Sequence, residues 1–371
     1  MKMAFGNGIG FTGEESLNAE TLFSQSYGSI VAELTEEVSF GVKIGETTAE
    51  PVIAVCGQRI PLAELTKVWE STLEEVYPTR AKAEEEQAPV LSCTTRPASA
   101  PATKVARPKA VIPVFPGTNC EYDTANACLR AGIEPEILVI RNLNVEQLLS
   151  SGRDLEKAIR DAQMIVLPGG FSGGDEPEGS GKFIASFFRN PRIKDAVHDL
   201  LKNRDGLMLG ICNGFQALVK LGLVPYGEIR DLDDSCPTLT FNLIGRHQSR
   251  YCDTRVASVK SPWMLKSQVG EIYTVPVSHG EGRFVAPKPI LEQIIANGQV
   301  ATQYVNGGGF PSMDISANPN GSVCAIEGIF SPDGRVFGKM GHSERWNPGV
   351  GKNVPGEKLM PIFESGALYF K

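Results

Sequence analysis

The stretch Gly210-Ile211-Cys212-Asn213-Gly214 places a cysteine between two glycines, each two residues away. An apolar run at 207–209 precedes it, and residues 215–221 carry apolar side chains at helical spacing. We therefore predict a sharp strand-to-helix turn that presents Cys212 as a nucleophile. The positive end of the helix would favour the thiolate. The alternative is a buried cysteine that acts as a small hydrophobic residue.

A glycine-rich segment, Pro-Gly-Gly-Phe-Ser-Gly-Gly-Asp at 168–175, follows a second apolar run at 164–167. Its glycines would allow backbone N–H groups to point into a crevice, as an oxyanion hole requires. A phosphate-binding loop is a competing interpretation, but the Gly-Lys-Ser/Thr ending of a P-loop is missing. A flexible turn that merely needs small residues is the other alternative.

Two of the four histidines belong to His-x-Glu pairs, His279 with Glu281 and His342 with Glu344. Residues two apart in an extended segment point to one face, so each glutamate could orient its histidine as a general base. Spacing alone does not choose between the pairs. We expect His198 on the surface of a helix, whereas His247 in a basic stretch could bind an anion or face solvent.

The elements around these residues predict an α/β fold. Apolar runs at 110–115, 137–140 and 164–167 indicate strands, and segments 123–131 and 145–162 indicate helices. Strands of this kind that alternate with helices are typical of a parallel sheet covered on both faces. Ligands bind at the carboxyl ends of such strands, where Cys212 and the loop after Leu167 would both lie.

The first 78 residues predict a small α+β piece. Strand candidates lie at 29–34, 40–44 and 52–55, and a helix is bracketed by Pro61 and Pro78. So small a piece buries little surface by itself. Residues 79–108 are rich in Ala, Pro, Thr, Glu and Arg without periodicity, which indicates a linker.

Composition excludes several classes of function for the 371 residues. The net charge of −7 argues against a nucleic-acid surface, and no apolar run is long enough to span a membrane. Eight cysteines without paired metal spacing predict no metal site and a reduced, cytoplasmic setting. The glycines at 6–10 are interpreted as a turn and not as a nucleotide site.

Five segments in this order resemble the glutaminase domain of phosphoribosylformylglycinamidine synthases, which are class I (triad) glutamine amidotransferases. The segments are 168–175, 210–216, 277–284, 317–322 and 341–345. The resemblance covers about 109–370 and implies a flavodoxin-like, doubly wound, mostly parallel sheet. It further implies that 1–78 is the C-terminal remnant of a synthetase domain, 79–108 a linker and 109–371 the glutaminase domain, as in the single-polypeptide form of the enzyme.

The resemblance also assigns roles, and it resolves the choice between the two His-x-Glu pairs. Cys212 is implied as the nucleophile, His342 as the general base and acid, and Glu344 as the residue that orients His342. Residues implied to form the oxyanion hole or bind glutamine are Gly169, Gly170, Asn213, Gln216, His279 and Gly280. We expect Cys212 and His342 within hydrogen-bonding reach, with His279 further away.

The implied reaction is hydrolysis of glutamine to glutamate and ammonia through a cysteinyl thioester. The ammonia would serve a synthetase region, absent from this chain, that uses ATP and Mg²⁺ to amidate formylglycinamide ribonucleotide; this chain itself would hold no cofactor. Two departures from the family pattern are Ser343 in place of a common proline and Gly173 in place of a common tyrosine. The alternatives are a cysteine hydrolase on the same fold, or a docking module that is inactive without the synthetase region.

Overall fold

The computed structural model describes residues 1–36, 38–81, 88–96, 100–171 and 181–371. These residues form two compact units, Met1–Arg80 and Ala81–Lys371. No helix in the described ranges combines the length and apolarity needed to cross a bilayer.

The first unit contains short helices and a small sheet. Its helices are α1 (Lys2–Asn7), α2 (Ala19–Phe23) and α3 (Leu62–Ser71), and its strands are β1 (Gly10–Gly13), β2 (Gly45–Thr48), β3 (Val52–Val55) and β4 (Gln58–Pro61). The strand order is β2-β1-β3-β4. Ile53 and Leu62 are the buried apolar side chains among its described residues, so its core is very small.

The sequence predicted only part of this unit. The strand at 52–55 is confirmed, and the predicted helix begins directly after Pro61 but ends at Ser71. The strands expected at 29–34 and 40–44 are wrong: both segments lack strand pairing, and their apolar side chains Ile30, Phe40 and Val42 are at least 77% exposed. An apolar stretch forms a strand only where a neighbouring strand offers hydrogen bonds, and here β1 pairs with β2 and β3 instead.

The second unit contains the longer elements. Its strands are β5 (Lys109–Val114), β6 (Glu134–Val139), β7 (Met164–Leu167), β8 (Leu207–Ile211), β9 (Thr238–Phe241), β10 (Gln248–Val256), β11 (Ile272–His279), β12 (Glu281–Val285), β13 (Val300–Val305), β14 (Ile326–Phe330) and β15 (Val336–Lys339). Its helices are α4 (Glu121–Ala131), α5 (Val145–Asp161), α6 (Lys182–Phe188), α7 (Pro191–Lys202), α8 (Asn213–Leu221), α9 (Leu223–Tyr226), α10 (Lys288–Ala296) and α11 (Ile362–Tyr369).

Within the described part of the chain, nine strands form one sheet in the order β11-β10-β13-β14-β15-β8-β7-β5-β6. The neighbours from β15 to β6 all pair in parallel, which confirms the predicted α/β fold with its doubly wound, parallel arrangement. The pairs from β11 to β15 are antiparallel and extend the sheet beyond β15. A separate ladder joins β9 to β12.

The central parallel strands β7 and β8 are buried because helices cover them, whereas the edge strand β6 has no buried residue. Every residue of β7 and β8 is buried, and both are continuous apolar runs as the sequence predicted. The side chain of Asn144 caps α5 by accepting from the Gln147 N–H, and the side chain of Asn190 caps α7 by accepting from the Arg192 N–H. This layered core fixes the carboxyl edge of the sheet, where β8 and β15 end side by side.

Residues 88–96, within the segment interpreted as a linker, pack in the second unit. The Cys93 N–H donates to the Ala257 carbonyl at 2.8 Å, and the Leu91 N–H donates to Gln303 Oε1 at 3.0 Å. The Arg96 guanidinium also donates to backbone carbonyls at 264 and 267. Side-chain and backbone hydrogen bonds therefore order this segment despite its irregular composition.

Candidate active site

Cys212 occupies the predicted sharp turn between β8 and α8. Its φ of 51° and ψ of −107° lie outside the regions that ordinary residues prefer, so the turn is strained. The flanking glycines make it possible: a Cβ on Gly214 would collide with the Leu167 carbonyl, and a Cβ on Gly210 would lie 2.7 Å from the Gly214 carbonyl. The turn therefore brings three stretches of backbone together with Cys212 at its apex.

The Cys212 thiol is buried, and its burial favours the protonated form. Its side chain is 4% exposed, and the sulfur lies 3.8 Å from the Ser278 carbonyl, to which it donates. Burial raises the pKa of Cys212 to about 12, and the hydrogen bond from the Asn213 amide at the start of α8 lowers it only in part. The start of α8 favours the thiolate, as expected from the sequence, but loss of hydration has the larger effect on this pKa. An activated sulfur then requires a base.

His342 and Glu344 form a buried pair directly beyond β15. Nδ1 of His342 lies 2.6 Å from Glu344 Oε1, and both side chains are about 1% exposed. Burial acts to raise the pKa of Glu344, but the charge and hydrogen bond of His342 overcome it and lower that pKa. When His342 is neutral and donates Nδ1–H to this carboxylate, its Nε2 carries the lone pair and can act as a base.

The sheet brings this pair to Cys212. Ile211 at the end of β8 is in register with Lys339 at the end of β15, and the Cys212 N–H donates to the Lys339 carbonyl at 2.8 Å. The expected hydrogen bond between the thiol and His342 is absent from the described residues, where His342 Nε2 has no partner. Catalytic hydrogen bonds are often long before substrate binds.

Gly169 lies against the His342 ring. A Cβ at Gly169 would be 2.6 Å from His342 Cε1 and 3.2 Å from Cys120 Sγ. The Gly169 carbonyl also accepts from the backbone N–H groups of Asn119 and Cys120. Gly170 follows with φ 151°, and a Cβ there would be 2.6 Å from the Gly117 carbonyl. The loop thus packs closely on the imidazole because it lacks side chains.

The second His-x-Glu pair is arranged differently. His279 Nδ1 lies 3.1 Å from the Asn242 side-chain oxygen, so an amide and not a carboxylate holds this ring. Burial, together with the neighbouring His342 and His247, lowers the pKa of His279 to about 3. His279 is therefore a neutral, buried histidine beside His342, while the carboxylate-oriented imidazole is that of His342.

The remaining predicted binding residues lie along α8 and the β11–β12 turn. The Gln216 side chain donates to the Glu281 carbonyl at 2.5 Å and accepts from the Asn213 side chain at 3.0 Å, so both ends of its amide are engaged. This pairing joins α8 to β12. Gly280 has open space at its Cβ position.

Cys120 and Arg345 are site neighbours that the sequence analysis did not select. Arg345 Nη2 lies 3.1 Å from Cys120 Sγ, which is itself 3.9 Å from His342 Nδ1. Burial raises the pKa of Cys120 to about 11, so it is a thiol. Its position just past the end of β5, at the same edge of the sheet, was the signal available in the sequence.

The same residues form a group with metal-ligand chemistry. One ligand atom each from Cys120, His342 and Glu344 lie within 4.8 Å of one another. However, Nδ1 of His342 already bonds to Glu344, and the Arg345 guanidinium faces the Cys120 sulfur. A positive charge at that sulfur opposes a cation, so the arrangement fits a histidine–carboxylate pair better than a metal site.

Two other histidines lie outside this centre. His198 is half-buried and accepts from the Ile229 N–H through Nε2, so it is not simply a surface residue. His247 is 3.2 Å from the Ser278 hydroxyl and is exposed there. Gly173 and the rest of 172–175 lie outside the described residues.

Residues 107–370 match the family described as the CobB/CobQ-like glutamine amidotransferase domain. The match covers more than half of the chain and includes every residue of the site above. This chain belongs to the glutamine amidotransferase family.

Two relatives of this chain are PurQ subunits of phosphoribosylformylglycinamidine synthase. The chain is 36% identical over 255 residues to phosphoribosylformylglycinamidine synthase subunit PurQ of Chlorobium chlorochromatii, a match that spans 68% of this chain and 93% of the relative. It is 33% identical over 237 residues to the PurQ of Aquifex aeolicus, which spans 64% of this chain and 90% of the relative.

A solved structure shows the same arrangement. The structure titled PurLQS from Thermotoga maritima is 27% identical with a TM-score of 0.51, and the match spans 71% of the amidotransferase and all of the solved chain. The sequence and fold comparisons therefore agree on the glutamine amidotransferase family.

Proposed function

We propose that this chain is the glutamine-hydrolysing component of phosphoribosylformylglycinamidine synthase, and that Cys212, His342 and Glu344 perform the hydrolysis. It releases ammonia from glutamine for purine biosynthesis. Relatives named as the PurQ subunit support the reaction, and the geometry of the site supports the residues. The observation that carries the mechanism is the 2.6 Å contact between His342 and Glu344 beside the cysteine turn.

In the first step, Nε2 of His342 takes the Cys212 thiol proton while the sulfur attacks the side-chain amide carbon of glutamine. An S–C bond forms, and the amide oxygen becomes an oxyanion. Since burial raises the pKa of Cys212 to about 12, transfer to the base must accompany attack. Glu344 stabilises the resulting imidazolium through Nδ1–H.

We assign the oxyanion hole to the backbone N–H groups of Asn213 and Gly170. Asn213 begins α8 and its backbone N–H is hydrogen-bonded to the Cys212 sulfur, and Gly170 follows Gly169, which lies against the His342 ring. Donors fixed at the site of developing charge each lower a barrier by about 3–4 kcal/mol. We propose that Gly169, Gly280 and His279 line the glutamine pocket, with Gln216 as its buried support.

The intermediate then collapses in two stages. His342 gives its proton to the amide nitrogen, the C–N bond breaks, and ammonia leaves a γ-glutamyl thioester on Cys212. His342 next takes a proton from water, whose oxygen attacks the thioester carbon; the C–S bond breaks and glutamate departs. The sulfur recovers its proton from the imidazolium, so the enzyme returns to its starting state.

We further propose that ammonia passes to a synthetase partner that uses ATP and Mg²⁺. The solved PurLQS assembly of Thermotoga maritima supports a partner of this kind. We assign residues 1–78 to the C-terminal end of a synthetase region. The cytoplasm is the proposed setting, because all eight cysteine thiols are unpaired.

The test is glutamate release from glutamine by the full chain, with and without an added synthetase subunit. Cys212→Ala is expected to lower release by more than about 10³-fold, while synthesis supplied with free ammonia continues. Release of peptide fragments from a peptide substrate without ammonia release from glutamine would instead favour a cysteine peptidase. Release that requires the added subunit would make the chain a partner-dependent glutaminase.

The two histidines separate the proposed base from its neighbour. His342→Ala is expected to prevent thioester formation, with a loss of about 10²–10⁴-fold, because it removes the carboxylate-oriented imidazole. His279→Ala should act mainly on the KM for glutamine. Mass spectrometry of acid-quenched enzyme detects the thioester; its loss in His279→Ala and survival in His342→Ala would overturn the assignment.

A further inference from the structure

A buried lysine makes hydrogen bonds to Cys212 and to both chain neighbours of His342. Lys339 is the last residue of β15, and its side chain is fully buried. Its ammonium lies 3.2 Å from Glu327 Oε1 and donates to the Gly341 carbonyl and the Ser343 hydroxyl, each at 2.9 Å. An ammonium has three donors, so each of its protons has a partner.

Glu327 completes the contact from the neighbouring strand β14. Its Oε1 accepts from the Gly341 N–H at 2.6 Å, and its Oε2 accepts from the Thr302 hydroxyl. Lysine and glutamate together therefore hold both polar atoms of Gly341, the residue immediately before His342. Ser343, the residue immediately after it, is held by Lys339 and donates to Met360 Sδ at 3.7 Å.

The backbone of Lys339 contacts the other half of the site. Its carbonyl accepts the Cys212 N–H at 2.8 Å, so one residue is hydrogen-bonded to the nucleophile through its main chain and to both neighbours of His342 through its side chain. We propose that Lys339, paired with Glu327, is a positioning residue that sets the placement of the His342–Glu344 pair relative to Cys212. This inference rests on the proposed function for its catalytic consequence.

The Lys339–Glu327 ion pair restrains the residues on either side of His342. A buried ammonium is tolerated only when it is paired and fully hydrogen-bonded, and here the backbone and side chain around His342 supply those bonds. Movement of the segment would leave the charge without partners. A displacement of about 1 Å in a catalytic group can cost about 10²-fold in rate.

The first experimental arm uses Ser343→Ala, which removes one contact and leaves both charges paired. We expect kcat for glutamate release by the full chain to fall about tenfold, with the KM for glutamine unchanged. Ser365→Ala is the matched control: Ser365 is also fully buried and bonded, to the Lys266 N–H and the Pro361 carbonyl, but lies on α11. The control should retain the wild-type kcat.

The second arm removes the ion pair as a unit with Lys339→Met together with Glu327→Gln, which leaves no lone buried charge. A fall in kcat of about 10²-fold is expected. If this double variant does not fold, Ser343→Ala alone decides the question, because its expected loss is independent.

A spectroscopic readout distinguishes positioning from general stability and does not depend on glutamine turnover. The Nδ1 proton shared by His342 and Glu344 should give a downfield proton resonance that is absent in Glu344→Gln. We expect this resonance to shift or broaden in Ser343→Ala and to stay in place in Ser365→Ala. A folded Ser343→Ala variant with the wild-type resonance and a kcat within about twofold of wild type would overturn the proposal. A wild-type chain that shows the resonance but never hydrolyses glutamine would contradict only the proposed function.

Discussion

The type of residue at each position of this site depends on the space available as well as on the chemistry required. Gly169 has no side chain because the His342 ring occupies the position of its Cβ, at 2.6 Å. Removal of water raises the pKa of the Cys212 thiol and lowers the pKa of the His279 ring, so burial favours the neutral form of both. The Ser343 hydroxyl accepts a hydrogen bond from Lys339 that a proline at this position could not accept.

Gly169→Ala should misplace the imidazole. The added methyl group meets His342 Cε1 and Cys120 Sγ, so the ring must shift, and we expect kcat to fall about 10²-fold with a smaller change in KM. Steady-state glutamate release measures both constants. Gly152→Ala is the control, since its Cβ would lie 4.0 Å from the Phe187 ring, an ordinary contact. Equal kcat values for the two variants would show that the ring tolerates the methyl group.

His279 should make the fold sensitive to acid. Its folded pKa of about 3 lies below the ordinary value of 6.5, so between these values the unfolded chain binds a proton that the folded chain does not. The stabilisation is therefore complete above pH 6.5 and is lost as the pH falls toward 3. From pH 7 to pH 5 this group should lower the free energy of unfolding by about 1–2 kcal/mol.

Urea unfolding at both pH values, on the full chain and on His279→Asn, measures this contribution. Asparagine does not titrate, so the variant should lose less stability on acidification by that amount. If the two proteins lose the same free energy, the buried neutral state of His279 is not the source of the acid sensitivity.

At the scale of elements, the site depends on how closely α8 packs against the sheet. Gly214 in the first turn of α8 lies against the Leu167 carbonyl of β7, and Gly338 of β15 lies against the Phe215 ring. Small residues at both contacts let the helix begin directly at the sheet edge. The helix terminus is thereby held beside the cysteine, although burial and not the helix sets the protonation state of the thiol.

Gly214→Ala should weaken this packing. Its Cβ would collide with the Leu167 backbone, so α8 must move away from β7, and we expect a loss of about 1–3 kcal/mol in the free energy of unfolding. Urea denaturation followed by circular dichroism measures it. Gly152→Ala, in the interior of α5, should leave stability unchanged or raise it slightly. An unshifted midpoint for Gly214→Ala would contradict the close packing described here.

The sequence predicted the elements whose signal is local. The run at 164–167 became β7 without change, and the glycines around Cys212 predicted its turn. The antiparallel strands β10 and β13 were not predicted, because polar residues such as Gln248, Arg250 and Asp253 alternate irregularly there and only long-range pairing makes them strands. The ion pair of Lys339 with Glu327 was equally invisible, since its partners meet only across β14 and β15.

At the scale of the whole molecule, the two units differ in how much core they contain. Met1–Arg80 buries few apolar side chains among its described residues and exposes several large ones, such as Phe23 and Tyr27. Ala81–Lys371 contains the continuous core that surrounds the nine-stranded sheet of the described chain. Large cores stabilise folds independently, whereas small ones depend on partners.

A fragment that comprises residues 81–371 should therefore fold alone. We expect its thermal midpoint within about 2 °C of the full chain and its glutaminase constants within about twofold, because the site and the core both lie in this unit. Calorimetry and steady-state kinetics compare the two. Residues 1–80 alone should show no cooperative transition. A cooperative transition for 1–80, or an aggregated 81–371 fragment, would contradict this division of stability.

Cys212 follows β8 and His342 follows β15, and these two strands are joined by backbone hydrogen bonds. The distance between the sulfur and the imidazole is therefore set by the spacing of the two strands. The sulfur and the imidazole cannot separate gradually while β8 and β15 remain hydrogen-bonded. As the temperature is raised, the enzyme should continue to release ammonia until β8 and β15 separate, and it should lose this activity at that point. The loss of turnover would therefore report the melting of the centre of the sheet, and fraying of its edge strands would not affect it.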